Sequence, residues 1–284
     1  MNFPTDIRVA VLGLGIIGSR ACARLADANW QVTCWNRTPQ GTPHEAATPE
    51  EAIHDAGIIS IYLKDVPAVR GVFGRIEGFL KPGQIILNHA TVDLETTLWL
   101  EEVCLAHGCY FLDTPFTGSK IASANGQLVY YIGGDQELAN KLEPYLSVTS
   151  KSQLHTGPVG TATVTKLATN LISACTVQAL AEALAIATHH GVSSDCLIDA
   201  VALNASASVL SAMKLPLMVG GNFETHFSLA NMAKDSRYML ALAEHAGLET
   251  PAIAAVSKRM SELSAEGLGN LDFSALAKPY LPVR

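Results

Sequence analysis

The chain has 284 residues, 49% of them hydrophobic and 16% charged, with 19 basic against 26 acidic residues and a formal net charge of −7. That is material for one large or two ordinary domains with a sizeable core, and the acidic balance argues against nucleic acid or an anionic membrane as partner. The six cysteines (Cys22, Cys34, Cys104, Cys109, Cys175 and Cys196) never form Cys-x-x-Cys; their scatter suits neither zinc nor a disulfide framework, so no metal and a reducing cytoplasm are expected.

Residues 1–6 are short and polar before the first strand-like run, Ile7–Leu12, so no signal peptide is expected. Gly13-Leu14-Gly15-Ile16-Ile17-Gly18 follows, then a helical stretch from Ser19 to Asn29 and a second strand from Gln31 to Trp35. Further apolar runs at Ile58–Leu63, Gln84–Asn88 and Tyr110–Asp113 alternate with helix-like segments such as Leu94–His107. This alternation predicts βαβ units and a parallel sheet. Leu128–Ile132 adds a strand and Gln153–Thr156 is a candidate for another. After Pro158 the strand signals almost cease. One long helix is expected over about 160–190, stopped by Gly191, with others from Ser194, over Ser208–Val219, over Leu229–Ala246, and from Thr250-Pro251, an N-cap followed by an N1 proline. The tail after Gly269 is short and carries Pro279 and Pro282. No run of about 18 apolar residues lacks a polar interruption, so no membrane span is expected. The expected architecture is a Rossmann-type, doubly wound α/β domain over 1–158 and an all-α domain over 159–284.

The glycine run sits between a strand and a helix, the context a dinucleotide fingerprint needs. Gly13 permits the tight turn, Gly15 lets backbone approach a pyrophosphate, and Gly18 lets helix and strand pack closely. The helix N-terminus, with Leu14, Ile16 and Ile17 completing the loop, then faces the phosphates. Strand two ends in Asn36-Arg37-Thr38. No carboxylate is present to repel a 2′-phosphate, and Arg37 can attract one, so NADP(H) is the expected cofactor.

Lys166 and Asn170 stand four residues apart near the start of the long apolar helix and therefore share a face. An ammonium there needs a polar cleft or a partner. On the fourth helix of the second domain, Asn231, Lys234, Asp235 and Tyr238 share a polar face, which read by itself is a solvated one. In order along the chain come the glycine loop, Asn88-His89-Ala90-Thr91, Asp113-Thr114-Pro115-Phe116-Thr117-Gly118-Ser119-Lys120, the Lys166/Asn170 helix, and Phe227 with Lys234-Asp235. This order resembles the β-hydroxyacid dehydrogenase family over essentially the whole chain. Within it the Asn-Arg-Thr and Thr-Gly-Ser-Lys segments are most similar to the glyoxylate and succinic semialdehyde reductases, a group related to 3-hydroxyisobutyrate dehydrogenase.

The resemblance implies a helical second domain like that of 6-phosphogluconate dehydrogenase, and roles for named residues. Lys166 would be the general acid, and Asn170 would hold the substrate and orient that ammonium. Thr117, Gly118 and Ser119 would bind the substrate carboxylate. Thr91 would contact the nicotinamide end, Phe227 would wall the pocket, Lys234 would reach the cofactor, and Asp235 would complete the site. The chain departs from the family pattern at Ala162, where a glycine is usual, at Ala90, where a serine is usual, and at Thr117, which replaces a serine. An imine reductase, a hydroxyacid dehydrogenase working in the oxidative direction, and a non-catalytic cofactor-binding module remain as alternatives. The apolar long helix predicts a homodimer or homotetramer through the helical domain. His89, His189, His190, Trp30 and Trp35 have no expected role beyond structure.

Overall fold

Short apolar runs separated by capped helices build the first half of the chain in the computed structural model, which describes residues 7–281. The stretch 1–6 and Pro282 lie outside the described residues. In order come β1 (Arg8–Leu12), α1 (Gly18–Asp27), β2 (Gln31–Trp35), α2 (Pro49–Ile53), β3 (Ile58–Ile61), α3 (Val66–Ile76), β4 (Ile85–Asn88), α4 (Leu94–Ala106) and β5 (Tyr110–Asp113). Side chains stop and start these helices: Thr48, Asp65 and Asp93 accept from the backbone N–H of Glu51, Ala68 and Thr96 at the starts of α2, α3 and α4. Then follow β6 (Phe116–Thr117), α5 (Lys120–Ala124), β7 (Leu128–Gly133), α6 (Gln136–Lys141), α7 (Glu143–Leu146) and β8 (Ser150–Gly157).

The sheet runs β2-β1-β3-β4-β5-β7-β6, with β8 also paired to β7. It is parallel from β2 to β5; β7 lies antiparallel to β5 and β6 and parallel to β8. Alternate residues of one strand feed opposite faces, as the two-residue strand period requires. Ala10 and Leu12 pack with Ile59, Phe73, Ile86 and Leu100; Val9 and Val11 pack with Leu25, Ile58, Ile85 and Leu87. The central strands are buried throughout, which is why they read as unbroken apolar runs. β6 has two residues, too few to leave a periodic signal, and β8 extends three residues before the expected Gln153.

α8 (Thr161–His189) begins the helical part and is followed by α9 (Ser194–Leu203), α10 (Val209–Gly220), α11 (Leu229–His245) and α12 (Pro251–Leu263). The chain divides into two compact units between Lys166 and Leu167, inside α8. α8 is long and apolar enough to cross a membrane by length and composition. It acts as a core helix of the second unit: Leu167, Ala174, Val177, Ala181 and Leu184 pack with Leu215, Met218, Met232, Ile253 and Met260. The tail joins this core, because a 3₁₀ segment over Phe273–Tyr280 buries Phe273, Leu276 and Ala277.

A buried ion pair holds the second unit together. Lys214 Nζ lies 2.6 Å from Asp272 Oδ1, with side-chain exposures of 2% and 0%. Asp272 Oδ1 also accepts from Ser274 N, and Oδ2 accepts from His226 N and Phe227 N, each at 3.0–3.1 Å. Burial pushes the Asp272 carboxyl up, but the Lys214 ammonium and these amides outweigh it and hold it below its usual 3.8. The stabilisation is therefore complete above that usual value and is lost as pH falls through the lower folded value. Lys214→Ala leaves a buried carboxylate unpaired and is expected to cost about 3–5 kcal/mol in urea denaturation at pH 7. Native stability in that variant would refute the role given to the pair.

Candidate active site

β1 delivers the chain into the glycine loop at the C-terminal edge of the sheet. Gly13 has φ of +102°, and a Cβ there would lie 2.6 Å from the Tyr62 carbonyl oxygen. A Cβ on Gly18 would lie 2.0 Å from the Gly13 carbonyl oxygen. Both positions admit only glycine, for turn and helix packing respectively. A Cβ on Gly15 would meet nothing within 4 Å. The backbone there faces open space, the cradle a pyrophosphate needs, so the loop fits a dinucleotide. Ile16 is exposed, and Leu14 is buried beneath the loop.

Asn36 ties this loop to the end of β2. Its Oδ1 accepts from Leu14 N at 3.0 Å, and its Nδ2 donates to Thr38 O at 2.7 Å. Both ends of the amide are thus engaged by the protein's own backbone, and its first task is bracing the loop. Arg37 and Thr38 stand exposed beside it.

At the end of β4, Asn88 is buried and its Oδ1 accepts from Ala90 N. Ala90 is buried and Thr91 half-buried. The neighbouring His89 is buried, with Nδ1 2.9 Å from Thr114 O and Nε2 3.2 Å from Ser60 Oγ. A carbonyl can only accept, so Nδ1 carries the proton and Nε2 accepts from the serine hydroxyl. Burial pulls the His89 pKa down to about 3, despite its bond to Thr114, and keeps the ring neutral. Tyr62 stacks on it at 4.3 Å.

β5 ends at Asp113 and passes through Thr114 and Pro115 into Thr117, Gly118 and Ser119. Gly118 has φ of +144°, and a Cβ there would crowd Leu128 at 2.7 Å. Ser119 Oγ caps α5 by accepting from Ala122 N at 3.2 Å, which leaves its O–H to donate. Asp113 is fully buried. Its Oδ2 accepts from Thr163 N at 2.8 Å and its Oδ1 from Thr163 Oγ1 at 2.9 Å. Burial pushes the Asp113 carboxyl up to about 7, opposed by the Thr163 and Gly160 donors. Lys166 is half-buried, three residues beyond Thr163. Ala162 is fully buried in the same first turn of α8.

In the second unit, Asn170, Lys234 and Asp235 form one buried polar group. Asn170 Nδ2 donates to Asp235 Oδ2 at 2.8 Å, and Lys234 Nζ pairs with Asp235 Oδ1 at 2.9 Å. Lys234 also lies 5.0 Å from the Tyr238 ring centroid. The polar face of α11, which by itself reads as solvated, is thus buried at Lys234 and Asp235. Its opposite face packs as expected through Leu229, Met232 and Ala233. Phe227 is half-buried and meets Phe273 edge-on at 6.0 Å. Three features were not anticipated: the Asp113–Thr163 contact, the Lys214–Asp272 pair and the His89 bonds. Each joins residues far apart in the chain, so no local pattern announces it. Among the described residues, no group of three or more His, Cys, Asp or Glu could hold a metal ion, and the six cysteines are free.

Residues 8–160 match the family model for the NAD binding domain of 6-phosphogluconate dehydrogenase, and residues 160–280 match that for NAD-binding of NADP-dependent 3-hydroxyisobutyrate dehydrogenase. Glyoxylate/succinic semialdehyde reductase 1 of Arabidopsis thaliana is 32% identical over 280 residues, spanning 95% of this chain and 97% of that one. The chloroplastic reductase 2 of the same plant is 29% identical over 282 residues, spanning 95% and 78%. Mycobacterium tuberculosis 3-hydroxyisobutyrate dehydrogenase, solved with L-serine, superposes with a TM-score of 0.90 at 22% identity, covering 97% and 99% of the two chains. At that identity the likeness establishes the fold alone.

Because Asn36 braces the loop, Asn36→Ala should weaken NADPH and NADH alike, by about 1 kcal/mol each, the net worth of one hydrogen bond. Fluorescence titration of both cofactors checks this, and a loss confined to NADPH would overturn the bracing role.

Proposed function

The chain belongs to the β-hydroxyacid dehydrogenase family, and from that premise we propose that it reduces a small aldehyde acid, of the glyoxylate or succinic semialdehyde type, with NADPH, Lys166 acting as general acid. It is an oxidoreductase with a nicotinamide dinucleotide cofactor. The finer reading is supported by the names of the reductase relatives and by the residues at the end of β2.

Gly13, Leu14, Gly15, Ile16, Ile17 and Gly18 would hold the pyrophosphate, with Asn36 bracing the loop. Arg37, and Thr38 beside it, would receive the 2′-phosphate; none of residues 36–38 is a carboxylate, and the nearby Glu45 carboxylate is engaged by the Gln40 and Gly41 amides. Thr91 and Lys234 complete the cofactor contacts in this reading. When bound, the reduced nicotinamide supplies hydride.

Reduction of an aldehyde places negative charge on its oxygen, and a donor must be aimed there. Lys166 gives that proton, and the product is the hydroxy acid. Thr117, Gly118 and the free O–H of Ser119 bind the carboxylate end, so that the carbonyl end is held toward the lysine. Phe227 and Asp235 belong to the substrate pocket. An ionised Asp235 can only accept, which fixes the Asn170 amide with Nδ2 toward it. That leaves Oδ1 as the acceptor end of the Asn170 amide.

The observation that carries the reading is Asn170, four residues past Lys166 on α8, whose amide is anchored by the buried carboxylate of Asp235 on α11. Buried charge of this kind is costly without a task or a partner. Assembly as a homodimer or homotetramer through the helical unit belongs to the same reading. The exposed Ile172 and Ile186 of α8 and Leu203 and Val209 beyond it support that assembly. Cytoplasmic residence accords with the free thiols.

An initial-rate panel of glyoxylate, succinic semialdehyde and tartronate semialdehyde with NADPH and NADH tests the assignment. Lys166→Ala is expected to abolish turnover while NADPH still binds; a variant that turns over at the native rate would remove the proton donor from the account. Arg37→Ala is expected to weaken NADPH by about 1.5–3 kcal/mol, the worth of a hydrogen bond to a charged group, and barely to change NADH. Equal loss for both cofactors would refute the role of Arg37.

A further inference from the structure

We infer that Asp113 is a positioning residue for this reaction: it fixes the first turn of α8, and with it Lys166, relative to the loop Thr117–Ser119. The inference deepens the reading of Lys166 as proton donor and rests on it.

The start of α8 lacks a local cap. Gly160, the residue before the helix, has no side chain and a φ of +91°, which a side chain rarely adopts; a Cβ there would also have to displace Leu94 Cδ1, 2.6 Å away. The backbone N–H of the third helical residue has no partner inside its own helix. Asp113 supplies that partner from fifty residues away, accepting from both the Thr163 amide and the Thr163 hydroxyl. A side chain from another element thus does what an N-cap residue does elsewhere.

Asp113 is itself rigidly held. Its backbone is paired with Asn88 of β4 on one side and Gly133 of β7 on the other. A Cβ on Gly133 would lie 2.9 Å from Pro158 O and 3.3 Å from Ala162 N, so the turn into α8 rests directly on the sheet at that glycine. Thr163 Oγ1 is also 2.9 Å from Thr97 Oγ1 of α4. Sheet, α4 and α8 therefore meet at one hydroxyl.

The consequence runs in two directions from one residue. Three residues past Thr163, on the same side of the helix, comes Lys166. Four residues past Asp113 comes Thr117. The Thr114–Pro115 peptide of that stretch is pinned too, because His89 Nδ1–H donates to Thr114 O at 2.9 Å. One carboxylate thus links the aim of the proton donor to the place of the substrate clamp. A general acid displaced by about 1 Å can lose about a hundredfold in rate. Turnover should therefore respond to this contact more strongly than cofactor affinity does.

The test uses the full chain with Asp113→Asn, Thr163→Val and Thr163→Ser, beside Lys166→Ala. Each is assayed with NADPH and the panel aldehyde turned over fastest, and NADPH affinity is titrated separately. In Asp113→Asn and Thr163→Val, kcat should fall about tenfold or more, with NADPH Kd changed by less than about twofold; Thr163→Ser, which keeps the hydroxyl, should stay within about threefold of native. Hydrogen–deuterium exchange of 161–166 should speed up in Asp113→Asn while that of 85–88 stays native, a readout independent of activity. Folded Asp113→Asn and Thr163→Val enzymes with native kcat, or native exchange at 161–166, would overturn the inference. Native turnover by Lys166→Ala would sink the donor reading instead, and the exchange measurement then decides the helix-fixing role.

Discussion

The paired bonds from Thr163 to Asp113 join the end of β5 to the first turn of α8, across fifty residues of chain. Strand ends of a parallel sheet are fixed by their neighbours, and a helix start is free until something receives its amides. Here the fixed element receives them. Gly133 makes the approach possible because a Cβ there would lie 2.9 Å from Pro158 O, and Gly160 takes the turn into the helix at a φ of +91°. Lys166 lies three residues beyond this contact on α8, and Thr117–Ser119 follow from the same strand end.

Three acidic side chains are buried among the described residues, Asp113, Asp235 and Asp272, and each meets different partners. Asp113 receives neutral donors only, so burial dominates and its carboxyl is pushed up to about 7. Asp272 receives an ammonium as well as amides, and is held below its usual value. Asp235 has the Asn170 amide on one oxygen and the Lys234 ammonium on the other. In a chain with only 16% charged residues, buried charge of this kind is concentrated where a helix or a backbone loop has to be held. Asp272 holds the amides of His226 and Phe227, Asp235 orients Asn170, and Asp113 sets α8.

Much of this was legible in the sequence. The apolar runs at 7–12, 31–35 and 58–63 marked strands because buried parallel strands are apolar on both faces. The glycine loop was readable because its spacing is a backbone requirement, now visible as the collisions at Gly13 and Gly18. That Lys166 and Asn170 share one helix was readable from its periodicity, and both lie on α8. The α11 residues Lys234 and Asp235 were not readable as buried, since periodicity separates polar from apolar faces without saying what the polar face meets. The tail was underestimated for a similar reason: Phe273, Leu276 and Ala277 form too short a run to signal a core element, yet they pack in one. Asp113 and His89 were present in motifs, but their partners, Thr163 and Ser60, are brought to them only by the folded sheet.

The central claim is that the Lys166 ammonium faces the oxygen that changes charge. A crystal structure of the enzyme with NADP+ and its hydroxy-acid product measures this directly. The account predicts Lys166 Nζ within about 3.2 Å of the product hydroxyl oxygen, the reach of a proton donor. An Nζ held beyond about 5 Å, with another side chain in hydrogen-bond contact with that oxygen, would contradict it.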